Sequence, residues 1–131
     1  MAVGAMIVAG FGFRRDASAA SLRDAFDRAR GDHPVSGLAT AADKAGTAQF
    51  RALSAALDLP VCPVAPEALT PQATHTHSPR VAAARGTGSV AEATALAAAG
   101  PGARLLAPRM ISADRMASCA LAMSLPEGQT Q

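Results

Sequence analysis

The sequence has no tryptophan, no tyrosine and only four phenylalanines. That removes the stacking platforms on which single-stranded nucleic acids are held. Acidic and basic residues nearly balance, for a formal charge of +2, and no run of five like charges occurs. No nucleic-acid partner is therefore expected. No stretch approaches the roughly 20 apolar residues of a membrane span. The N-terminal apolar run, Met1 to Phe13, has no basic region before it, so it reads as a first strand rather than a signal peptide. Cysteine is scarce: Cys62 and Cys119 lie 57 residues apart, a spacing that fits no zinc motif. Both are read as buried structural thiols in a reducing, cytoplasmic setting. Lysine is scarcer still, with Lys44 set against 11 arginines.

What the chain does have is alanine, 34 of 131 residues, against 29 Leu, Val, Ile, Met and Phe together. A core of small side chains requires helices and sheet to lie close. The length suits one domain, here 1–125 with a polar tail over 126–131.

Hydrophobic patterning gives an alternating order. Val3 to Ala9 is a buried strand closed by a turn at Gly10 and Gly12. Leu22, Ala25, Phe26 and Ala29 mark a helix over about 19–30, capped by Ser18 or Ser21 and ended by Gly31. A strand over 36–41, a helix from Thr47 to about Asp58, a short strand over 61–64 that Pro63 marks as a sheet edge or a strand end, and a helical turn at 66–69 follow. Residues 70–80 form a Pro-, Thr- and His-rich loop. Ser89 and Glu92 make a capping box for a helix over 90–99, and 105–111 and 116–125 are two last strands. The short connection Ser112 to Arg115 makes that final pair antiparallel. The predicted fold is α/β: a single-domain three-layer αβα sandwich on a mostly parallel sheet of about five strands, with an antiparallel C-terminal strand.

Ligands of such sheets bind beyond the carboxyl ends of the strands. Three segments are expected there. Gly10-Phe-Gly12-Phe-Arg14-Arg15 offers close backbone approach and two forked cations. Thr40, Asp43 and Lys44 follow the second strand. Gly86-Thr87-Gly88-Ser89 opens a helix with free amides suited to an anion. No P-loop, no Ser-His-Asp set and no cofactor motif is present, so no cofactor is expected. His75 and His77 share one face of an extended loop and, with His33, compose a metal set on paper; solvated histidines are the preferred reading, and no metal is expected.

These segments, in this order, resemble the CobE family, the equivalent of the C-terminal domain of CbiG in cobalamin biosynthesis. Its Gly-x-Gly-Cys-Arg-Arg-Gly turn reads Gly10-Phe11-Gly12-Phe13-Arg14-Arg15-Asp16 here. Its Ala-Thr-x-x-x-Lys segment reads Ala39 to Lys44, and its Leu-x-Ala-Leu-x-Leu-Pro segment spans Leu53 to Pro60. Its Gly-Val-Gly-Ser-Val-Ala-Glu-Ala segment reads Gly86 to Ala93, and a basic residue in its late strand is Arg109. Phe13 and Asp16 depart from the family's Cys and Gly, and Arg109 stands where Lys is common, so chemistry that needs that thiol is lost.

The resemblance implies a corrinoid or precorrin intermediate as ligand, a tetrapyrrole rich in carboxylates. It also implies other cobalamin-pathway enzymes as partners in transfer. Arg14, Arg15, Lys44 and Arg109 would meet acetate and propionate groups, and the 70–80 loop would fold over the ligand. In the longer anaerobic protein the family opens a lactone on a cobalt-precorrin and releases a two-carbon fragment. Three functions are thus open: a carrier or chaperone, a hydrolase with Lys44 as its catalytic residue, and an anion- or nucleotide-binding module sharing only the architecture.

Overall fold

The computed structural model describes residues 6–72, 74, 76–79, 81–82 and 89–124. The elements are β1 (Ile7–Phe13), α1 (Ala19–Arg30), β2 (Gly37–Ala41), α2 (Ala42–Ala45), α3 (Ala48–Leu57), β3 (Val61–Val64), α4 (Pro66–Leu69), α5 (Val90–Ala99), β4 (Arg104–Ile111) and β5 (Ala117–Met123).

Local chemistry sets several boundaries. The Ser18 hydroxyl accepts from the Ser21 amide at 3.1 Å and starts α1. Gly31, at φ 53°, ends it in a conformation that penalises a Cβ. At α3, Thr47 occupies the cap position, but its hydroxyl donates back to Lys44 O at 2.8 Å instead of capping. The short helix α2 was not foreseen, because four residues are too few to show a helical period.

The five strands form one sheet in the order β3-β2-β1-β5-β4. The β1–β2 and β2–β3 pairs are parallel; β5 runs antiparallel to both β1 and β4. This is the expected α/β sheet with its antiparallel C-terminal strand. One face carries α1 and α3, where Ile7, Ala9 and Phe11 meet Leu22, Phe26, Phe50 and Leu53. All four phenylalanines gather on this side: Phe11 lies 6.3 Å from Phe26 and 5.4 Å from Phe50, and Phe13 stacks on Phe50 at 5.8 Å. The other face carries α5 and α4 and is built from Val8, Ala39, Val64, Leu69, Ala93, Ala95, Leu96 and Ala122.

Two expectations need correction. β1 does not stop at a turn of Gly10 and Gly12; both glycines lie inside the strand, paired with Ala120 and Ser118 of β5. Gly10 faces α5. A Cβ there would stand 2.6 Å from Thr94 Oγ1 and nearer still to the Ala91 carbonyl and the Ala95 amide. The glycine therefore admits helix backbone, not a ligand. Secondly, Cys62 is exposed on edge strand β3, whereas Cys119 is buried, and burial pushes its thiol pKa well above the ordinary value. The predicted segments 3–5 and 125–131 lie outside the described residues.

Gly10→Ala should lower stability by about 3 kcal/mol or prevent folding, because the clash is with backbone that cannot turn aside. Gly46→Ala, at φ −90° with nothing within 4 Å, should leave the melting temperature nearly unchanged. Thermal unfolding of the two variants checks the pair.

Candidate functional site: a basic crevice at the strand ends

β1, β2 and β4 end on the same side of the sheet, where β5 begins. Between these ends lies an open cavity of about 760 Å³, within the size range of small-molecule sites. Four basic residues, Arg14, Lys44, Arg109 and Arg115, line it, and no acidic residue does among the described ones. Gly12, Phe13, Thr40, Val90 and Ser118 supply the walls nearest the sheet, and Ser78, Pro79 and Val81 close another side.

Each cation arrives by a different route. Arg14 follows β1 directly, its amide held by Met116 O at 2.9 Å, and its side chain is exposed. Lys44 rises from α2. Its ammonium donates to the Phe13 carbonyl and sits 4.7 Å from the Phe13 ring centroid. Phe13 thus holds the lysine over its ring. Arg109 lies in β4, where the register moves from Ala107↔Leu121 to Met110↔Cys119, so β4 carries an extra residue around Pro108 and Arg109. Such a bulge re-aims a side chain. Arg115 stands at φ 62° in the β4–β5 turn.

That turn is pinned to α1. Asp114 accepts from the hydroxyls of Ser112 (2.6 Å) and Ser21 and from the Met116 amide (3.1 Å). Asp24 accepts from the Ala113 amide at 2.7 Å. The Ser112 and Ser21 hydroxyls hold the Asp114 carboxyl below its ordinary range, and the Ala113 amide does the same for Asp24.

Of the residues singled out from sequence, Gly12, Arg14, Thr40, Lys44 and Arg109 come together in the crevice. Thr40 is also a fastener: fully buried, it donates to Phe11 O at 3.0 Å and ties β2 to β1. Gly10 lies under α5, away from the crevice. Arg15 and Asp43 are exposed outside its lining, and the Arg15 carbonyl accepts from Gln49. Ser89 is buried and its hydroxyl accepts from the Glu92 amide at 3.3 Å, which occupies it as a cap. Gly86, Thr87 and Gly88 lie outside the described residues, as does His75; His77 and His33 are exposed. Among the described residues no three of His, Cys, Asp and Glu stand at metal-binding distance, and no helix is long and apolar enough to cross a membrane.

Sequence reading missed Arg115. A lone arginine between two strands carries no periodic signal, and only the hairpin's docking on α1 brings it to the strand ends. It also took Glu92 for a capping partner alone. In the structure the Glu92 carboxylate is fully buried and accepts from Thr76 and from the Arg109 amide.

The family model for the cobalamin synthesis G C-terminus matches residues 7–122. This chain belongs to that family. The crystal structure of CobE, a protein from the cobalamin biosynthetic pathway, is similar at a TM-score of 0.82 and 33% identity, over 97% of this chain and 96% of that one. The cobalamin biosynthesis protein chiG from Agrobacterium tumefaciens is similar at 0.70 and 35% identity, over 91% and 98% of the two chains. A cobalamin biosynthesis protein G homolog from Sulfolobus solfataricus, at 0.66 and 16% identity, shares the fold; this chain spans 37% of its length. No curated protein sequence matches the chain. The chain is thus a cobalamin biosynthesis protein of the CobE and CbiG C-terminal type, and the crevice belongs to a domain of that pathway.

The pinned turn gives the stability a stated pH dependence. Carboxyls whose folded pKa is depressed stabilise the fold above their ordinary value of 3.8, and that contribution fades as pH falls through the folded pKa. Asp114→Asn should therefore be less stable than the parent at pH 7, and the gap should shrink by pH 3. Denaturant midpoints at both pH values measure it.

Proposed function

We propose that this protein binds a carboxylate-rich tetrapyrrole intermediate of corrin synthesis in the basic crevice and serves as its carrier or chaperone between enzymes. The observation that carries the reading is the crevice's charge. Four cations from four separate segments face one open cavity of about 760 Å³ with no acidic lining residue among those described. Guanidinium forks suit carboxylates in two-point contacts, and spacing them around a cavity suits a large ligand with carboxylates on its periphery.

The hydrolase reading relies on Lys44. Its ammonium donates to the Phe13 carbonyl and lies over the Phe13 ring. Those contacts hold the Lys44 nitrogen at the crevice wall, and a base or nucleophile would need it as the neutral amine. The geometry favours binding over turnover.

Amino-acid side chains do not absorb in the visible, so that spectrum belongs to the ligand, and a chain without Trp or Tyr leaves the near ultraviolet nearly clear as well. Titration with hydrogenobyrinic acid should give a saturable shift of the ligand's visible bands. Arg14→Ala, Arg109→Ala and Arg115→Ala should each weaken binding by roughly tenfold, about 1.4 kcal/mol, as expected for one charge-assisted contact. Arg15→Ala, outside the crevice, should bind as the parent does. No shift with any corrinoid, together with saturable nucleotide binding, would overturn the reading in favour of an anion module. Lys44→Ala should weaken binding without abolishing any conversion of the ligand; conversion lost with binding intact would instead establish the hydrolase.

A further inference from the structure

Glu92 presents a physical problem. It sits in α5, with its side chain fully buried. An ionised carboxylate in such a place is tolerated only where hydrogen bonds replace its lost water. Among the described residues they come from two segments far apart in sequence. Oε1 accepts from the Thr76 amide at 2.7 Å; Oε2 accepts from the Thr76 hydroxyl at 2.7 Å and from the Arg109 amide at 2.8 Å. Thr76 begins the strap that brings Ser78 and Pro79 to the crevice, and Arg109 is one of its four cations. The Arg109 amide belongs to the stretch where β4 carries its extra residue, beside Pro108, which has no amide to donate.

We infer that Glu92 is a positioning residue. Its buried carboxylate locks the 76–79 strap and the Arg109 bulge as two walls of the crevice, so that Arg109 meets a ligand carboxylate in a set orientation. The ligand assignment rests on the corrinoid reading above; the locking geometry does not. The chemistry calls for a carboxylate specifically. Each of its oxygens takes a backbone N–H, and a backbone donor cannot rotate away. Glutamine has one acceptor oxygen and one donor nitrogen, so in Glu92→Gln one of those two N–H groups would face another N–H.

Two measurements on Glu92→Gln test this. In the ligand-free protein, amide hydrogen exchange should rise together in 76–79 and 106–111 while α1 stays protected; parental exchange in both segments would overturn the inference. In the titration with hydrogenobyrinic acid, Glu92→Gln and Arg109→Ala should each weaken binding roughly tenfold, and the double variant should be no weaker than either alone within about twofold. Effects that multiply would show Glu92 acting independently of Arg109 and would also overturn it. A parent protein that binds no corrinoid would sink the proposed function, while the exchange result would still decide the role of Glu92. If Glu92→Gln does not fold, Thr76→Val removes one hydroxyl donor from Oε2 and keeps the carboxylate. Exchange should then rise in 76–79 more than in 106–111; unchanged exchange in the strap would overturn the inference.

Discussion

The structure depends on the approach of α5 to β1 at Gly10. There is no room for even a methyl group between the strand and the backbone of residues 91–95. The contact explains why α5 itself is rich in alanine, since the helix is buried on most of its surface and only small side chains let it lie so near the sheet. It also explains why the large residues sit elsewhere. The four phenylalanines fill the α1 and α3 face, where the helices stand off far enough to hold rings. Thr94 sits at the same contact and donates its hydroxyl to the Val90 and Ala91 carbonyls at 2.8 and 3.1 Å, so its own buried hydroxyl has an acceptor.

The same approach shapes the crevice. With α5 lying low on the sheet, Val90 lines the cavity and Glu92 reaches both the 76–79 strap and β4. On the opposite side of the sheet, α1 holds the β4–β5 turn through Asp24 and Ser21. Both helical layers thus contribute to placing cations at the strand ends: α5 through the Arg109 amide, α1 through the turn that carries Arg115. Lys44 is held locally, by the end of β1. The described cations of the crevice thus come from the end of β1, α2, β4 and the β4–β5 turn.

The fold was largely legible in the sequence because its signals are local. The α1 apolar stripe, the Ser18 cap, Pro60 before β3 and the short turn between the last strands each follow from a few adjacent residues. Arg14 and Lys44 were legible as cations near strand ends; Arg109 came only from the family resemblance. Gly10 was misread, because a glycine that ends a strand and one that admits a helix look the same in sequence. Cys62 was misread as buried: Pro63 already pointed to a sheet edge or a strand end, but the sequence does not show which side chains of that strand face solvent.

The sequence by itself determined the alternation of helices and strands, the small-residue packing and the supply of cations, since period, caps and composition act over a few residues. Only the tertiary structure decided which cations face one cavity and what Glu92 does. Those outcomes depend on hydrogen bonds across long stretches of chain: Arg109 to Glu92, Ala113 to Asp24, Lys44 to Phe13. A buried carboxylate and a capping glutamate occupy the same place in the sequence, and the donors that distinguish them arrive only when the chain has folded.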